Sequence, residues 1–215
     1  VNEWCDSETY PPAHATPTDL YLSEGSMLAP VADIEGHEQY TYDPETPVIF
    51  LPGAVDHQEI VKRSDVLFFE TSALDQSMSV LGPAQVTLFA STDCLDTDFI
   101  AKLFDVTPDG KVISLSHIPG VIRARYRDGY DKTELMMPGE VCEFTITLPD
   151  IGHCFQVGHK IGLEISSSCF PLVDPNTNTG DDFRTDMQTK IAQQTVCFGP
   201  DAPSRLTLTT LVSDH

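Results

Sequence analysis

Three consecutive serines, Ser166, Ser167 and Ser168, close an alternating stretch and run into Cys169-Phe170-Pro171 and the polar sequence DPNTNTG. A serine or cysteine becomes a nucleophile when a base lies within hydrogen-bond reach and a sharp turn exposes it. Neither condition is met locally. No G-x-S-x-G occurs in the chain, and His159 stands seven residues before Ser166, a separation of roughly 23 Å along a strand. The stretch therefore reads as small side chains where a strand packs closely and a loop departs, with Asn and Asp tying down their own backbone.

Asp93, Asp96 and Asp98 in STDCLDTDF raise the question of a calcium loop. The EF-hand spacing and its glycine turn are missing, so pairing with arginine is the expectation for Asp96 and Asp98. Three of the six arginines, Arg123, Arg125 and Arg127, alternate in RARYR with Ile122, Ala124 and Tyr126 opposite, as if on one face of a strand. In so acidic a chain, such a row meets carboxylates of a neighbouring strand or domain, with an anionic ligand as the alternative. The histidines, His14, His37, His57, His117, His153, His159 and His215, show no H-x-H or H-x-x-x-H spacing, and the six cysteines form no CxxC. No metal and no cofactor is expected.

The elements that must position these residues are strands. Phe144, Ile146 and Leu148 alternate with polar neighbours, as do Ile161, Leu163 and Ile165, and then Leu206 and Leu208. Val66 to Glu70, Val80 to Ala90, Asp98 to Val106, Lys111 to His117 and Val121 to Arg127 are further β-rich segments, punctuated by Pro108-Asp109-Gly110 and Pro119-Gly120. Helical periodicity is weak; Asp186 to Gln194 fits a helix or a strand carrying Met187, Thr189 and Ile191 on one face. The expected fold class is all-β, a single antiparallel two-sheet sandwich of jelly-roll type spanning 1–215. Residues 1–40 read as an extended lead-in over it, with Trp4 as a core anchor or, alternatively, an aromatic platform for a ligand.

A formal net charge of -21 repels phosphate backbones and anionic headgroups, so neither nucleic acid nor a membrane surface is an expected partner. No apolar run reaches the roughly 18 residues of a membrane helix. The scattered cysteines favour reduced thiols and a cytoplasmic setting.

Several stretches together resemble one family: YTYDPETPV (Tyr40 to Val48), RSDVLFFET (Arg63 to Thr71), DTDFIAKLFDVTPDGKVISL (Asp96 to Leu115), GVIRARYRDG (Gly120 to Gly129), GHKIGLEISSSCFPLVDPNTNTG (Gly158 to Gly180) and PSRLTL (Pro203 to Leu208). They look like the C-terminal domain of the CocE/NonD hydrolases, which include X-prolyl dipeptidyl peptidases, cocaine esterase, α-amino acid ester hydrolases and glutaryl acylases. The resemblance implies a jelly roll of galactose-binding-like topology that follows an α/β-hydrolase domain with a Ser-Asp-His triad and a helical cap. Those two domains are the expected partners, lying upstream of Val1. The jelly roll would brace them and help shape the acyl pocket, with Phe50 and Leu51 nearest that pocket. In many relatives the loop after the YDP strand is Gly-rich and longer than Val48 to Gln58 is here, and histidines often stand near Phe198, Gly199 and Ala202.

Two other readings belong to different classes: a free-standing galactose-binding-like module for a sugar or other ligand, and an oligomerisation domain forming a homo-oligomer. The absence of a nucleophile and base yields a direct expectation. The 215-residue chain folds but takes up no serine-directed fluorophosphonate, and stoichiometric labelling measured by intact mass would contradict the non-catalytic reading.

Overall fold

The computed structural model describes residues 6–182, 185 and 187–211. Among the described residues there are twelve strands: β1 (Ala15–Ser23), β2 (Met27–Ala29), β3 (Gly36–Tyr42), β4 (Leu67–Glu70), β5 (Met78–Thr92), β6 (Asp98–Val106), β7 (Val112–Ser114), β8 (Gly120–Arg123), β9 (Cys142–Phe155), β10 (Lys160–Ser166), β11 (Ala192–Phe198) and β12 (Arg205–Leu211). The expected all-β jelly roll is what forms. The hydrogen-bonded order β3-β11-β5-β12-β1-β2-β4-β10-β6-β7 curls over on itself, with β9 added beside β5 and β8 beside β6. Among the described strands every pairing is antiparallel except one between β2 and β4; a single parallel bridge also joins Ile49 to Phe170 outside the strands.

Alternation explains which side of each strand is inside. Phe144, Ile146 and Leu148 of β9 turn inward while Glu143, Thr145 and Thr147 face water. β6 is buried along its whole length because both its faces are covered. Phe99, Ala101 and Leu103 enter the core between the sheets, where Phe99 meets Phe144 with ring centroids 4.9 Å apart. Lys102 and Phe104 face the other way, beneath the β3–β4 connection.

Several sequence boundaries move. Residues 15–40 are not a wrapping laid over the sandwich: β1 pairs with both β12 and β2, and β3 pairs with β11 along seven residues. The β8 strand stops at Arg123; the Ala124 amide still donates to the Thr97 carbonyl in the β6–β8 register, but Ala124–Tyr126 then form one 3-10 turn in which the Arg127 amide donates to the Ala124 carbonyl. Of Lys111 to His117, only Val112–Ser114 is strand. Asp186, Trp4 and Cys5 lie outside the described residues, and the segment after Asp186 becomes strand only at Ala192. The other five cysteines are free. Among the described residues no helix is long and apolar enough to cross a membrane.

The registers put the long connections together. The end of β3 lies beside the start of β11, which lies beside the end of β5, which lies beside the start of β9. The start of β6 lies beside the ends of β10 and β8, and the end of β10 beside the start of β4. Loops 43–66, 93–97, 124–141 and 167–191 therefore share one end of the sandwich.

Gly120 lets β8 pass close to β9. A Cβ there would stand 2.6 Å from the Thr147 carbonyl oxygen and 2.8 Å from an Ile146 methyl. Gly120→Ala is expected to lower stability by about 1–3 kcal/mol, seen as a lower urea midpoint with an unchanged slope.

A buried carboxylate–arginine network at the long-loop end

At the start of β6, two carboxylates 1 % exposed share one asparagine. Asn176 Nδ2 donates to Asp96 Oδ2 at 2.9 Å and to Asp98 Oδ1 at 2.7 Å. With acceptors on both sides, the amide nitrogen must be the group that faces them. Asp98 also receives Arg123 through Nε and Nη2, both at 2.9 Å, in a two-pronged pair between adjacent strands. Asp96 takes the Arg125 backbone amide at 3.0 Å and its Nε at 2.7 Å. The far side of Arg125 reaches the Asp181 carbonyl at 2.9 Å.

Burial pushes the carboxyl of Asp98 up from its ordinary value, opposed by Arg123 and Asn176. Three donors on its two oxygens fit the ionised form. Burial also works against the Arg123 cation, but the hydrogen bond and charge of Asp98 hold its pKa above the ordinary guanidinium value. The arginine row predicted on one strand face is thus split between a strand and a 3-10 turn. Arg123 and Arg125 meet the two aspartates, whereas Arg127 turns to the Ala124 and Glu134 carbonyls and pairs with the Glu134 carboxylate at 3.2 Å.

Every serine of the 166–168 run is occupied. Ser166 donates to Glu164 Oε1 at 3.2 Å, Ser167 shares a hydrogen bond with the Tyr40 hydroxyl at 2.8 Å, and Ser168 Oγ accepts the Val48 amide at 2.9 Å. All three are buried, and His159 instead bonds Asp105 Oδ1 at 2.7 Å. His153 arrives from β9 in the facing layer to Asp105 Oδ2 at 2.9 Å, a convergence that no local spacing could reveal. Asp93 stands apart from the aspartate pair, accepting from the Gln193 amide at 2.9 Å and from the Cys94 thiol. Burial, with Asp93 beside it, pushes that thiol up to about 11, far from a reactive thiolate. Phe50 is half-buried and Leu51 exposed on the 43–66 loop; the neighbouring groove of about 560 Å³ is lined by Val61, Phe68, Val106 and Lys160, not by them.

This arrangement binds loop to strand, and it offers no nucleophile with a base beside it among the described residues. Comparison with known proteins agrees. A family model described as the X-Pro dipeptidyl-peptidase C-terminal non-catalytic domain matches residues 1–207. The chain belongs to that family. Cocaine esterase of Rhodococcus sp. (strain MB1 Bresler) is 32% identical over 230 residues, covering 97% of this chain and 40% of its own. An aminopeptidase structure from a marine sediment Thaumarchaeota archaeon superposes with a TM-score of 0.92 at 28% identity, covering 98% of this chain and 39% of that one. An α-amino acid ester hydrolase does so with a TM-score of 0.83 at 30% identity, covering 90% and 36%. This X-Pro dipeptidyl-peptidase C-terminal domain thus spans about two fifths of the length of such relatives and is the C-terminal, non-catalytic domain type of CocE/NonD hydrolases.

Removing one acid from the network leaves a buried cation and amides unpaired. Asp96→Ala is expected to cost about 3–5 kcal/mol, whereas Lys132→Ala, which breaks the exposed pairs with Asp128 and Glu134, is expected to leave stability nearly unchanged; urea unfolding at neutral pH measures both.

Proposed function

We propose that this domain braces the α/β-hydrolase and cap domains of a CocE/NonD-type serine hydrolase and forms part of the wall of its substrate pocket. The supporting observation is the long-loop end. Ile49, Leu51, Phe170 and Leu172 stand exposed side by side there, since the Phe50 amide donates to the Phe170 carbonyl at 2.7 Å and Ile49 forms a bridge with Phe170. Leu95, Leu135, Met137 and Ile191 are exposed farther along the same end. Large apolar side chains gathered on one end suit a surface that another domain covers.

In the complete enzyme the reaction would be acyl transfer to water through a seryl ester, on an ester, an amide or an X-Pro peptide. The serine, its base and its acid would all come from the hydrolase domain. Phe50 and Leu51 would contribute apolar wall, selecting substrates by fit rather than by chemistry.

Two measurements test this. The coding sequence upstream of Val1 is expected to hold, in frame, G-x-S-x-G followed by the Asp and the His of a triad; its absence removes the reading. In the complete enzyme, Leu51→Ala is expected to change kcat/KM by about tenfold toward bulky acyl groups without lowering the melting temperature, as expected for one apolar contact. Unchanged kinetics would take Leu51 out of the pocket wall.

A further inference from the structure

Between Val48 and Val61 the β3–β4 connection crosses the outer face of β10, β6 and β7 as a strap. At one end the Val48 carbonyl takes the Phe170 amide at 2.8 Å, beside the bonds to Ser168 and Phe170 already described. At the other end Asp56 and His57 grip β7. Asp56 Oδ1 accepts the Val112 amide at 3.0 Å, and the His57 amide donates to the Val112 carbonyl at 2.8 Å.

Beneath the strap lie groups that an outer sheet face seldom buries. Lys102 from β6 and Glu164 from β10 form an ion pair of 2.8 Å, with side chains 3% and 0% exposed. Ser166 donates to the same Glu164 oxygen, leaving Oε2 without a protein partner. His57 is 1% exposed and packs edge-on against Phe104, with centroids 5.1 Å apart. Neither of its ring nitrogens has a hydrogen-bond partner.

We infer that the strap is an acid-released latch triggered by His57: protonation of the buried imidazole unseats residues 48–57 from the β6–β10 face while the sandwich beneath stays folded. A neutral ring in this position leaves its polar atoms unmet, whereas an imidazolium adds a full charge whose burial outweighs the pull of the Leu51 carbonyl and the nearby carboxylates. The charged groups facing the ring are Asp56 on the strap, Lys102 on β6 and Glu164 on β10, while β7 presents Val112. Asp56 is already committed to the Val112 and Gln58 amides, and one Glu164 oxygen to Lys102 and Ser166. No hydrogen bond joins the other Glu164 oxygen to the ring.

Burial pushes His57 below its ordinary 6.5; Glu164, Asp56 and the Leu51 carbonyl pull the other way, and Lys102 adds to the depression. The docked strap therefore binds a proton less readily than the released one. Docking is complete above about pH 6.5 and weakens as pH falls below that value toward the depressed pKa. The strap yields before the sandwich because a few backbone bonds hold it, whereas the strands share one continuous core.

Amide exchange of the chain at about pH 7.5 and about pH 5, corrected for the intrinsic pH dependence of exchange, tests the latch. Protection over 48–57 is expected to fall several-fold on acidification, while β5, β9 and β10 hold theirs. In His57→Phe the strap stays protected at both values. Ring titration followed by NMR is expected to place His57 below the chain's exposed histidines. Strap protection indifferent to acid, an acid response that survives in His57→Phe, or a His57 ring titrating in the ordinary range would each overturn the inference. Should His57→Phe fail to fold, wild-type exchange and the ring titration decide it.

Discussion

Two carboxylates without water is the condition on which this end of the molecule depends. Asp96 and Asp98 are buried at the mouth of β6, and a buried charge is tolerable only when its partners are held in place. Arg123 and Arg125 from one stretch of chain and Asn176 from another supply those partners. The 93–97 loop, the β8 end with its 3-10 turn and the 174–181 segment consequently cannot shift independently. Asn176 carries the restraint onward: its Oδ1 accepts the Asn178 amide, and Asn178, in the left-handed region at φ 64°, donates to the Lys190 carbonyl. Long loops that would otherwise be loosely held become a shaped surface.

That surface has a bearing on why the domain contains reactive residue types without reactive chemistry. Ser166 to Ser168, Cys94 and Cys169 are all buried, and their hydrogen bonds or burial leave them inert. Tyr40 and Tyr42 fill the same polar layer, donating or accepting at Ser167 and the Asn176 carbonyl, with burial pushing both phenols well above their ordinary range. The family signature segments are thus mostly the parts of one internal scaffold. A sugar-binding module standing alone is not favoured by relatives in which the same fold is two fifths of a longer chain.

The strands were legible because burial on one face writes a period of two into the chain, as in Phe144, Ile146 and Leu148. The acid and arginine partners were legible as types, since so acidic a chain leaves little else for an alternating arginine row to meet. Their geometry was not. At the break after Arg123 the Arg125 amide goes to the Asp96 carboxylate, a long-range bond with no local trace. The same holds for His57, which looks like any loop histidine until a strap folds it onto Phe104, and for His153 and His159, brought to one carboxylate from opposite layers. In β1 and β3, Pro17 and the charged or polar outward residues blurred the pattern that would have announced them as sheet members.

The position of β12 carries a consequence for synthesis. Residues 205–211 fill the slot between β1 and β5 in the interior of the hydrogen-bonded order, although they come last in the chain among the described strands. While the chain emerges from the ribosome, β1 and the first half of β5 must wait with unsatisfied edges until that strand arrives. Zipping it in closes a loop of almost the whole domain, a slow kind of step whose waiting state exposes strand edges to other nascent chains. A shortened product ending before residue 205 would keep those edges open permanently, making it a substrate for chaperones rather than a smaller version of the same domain.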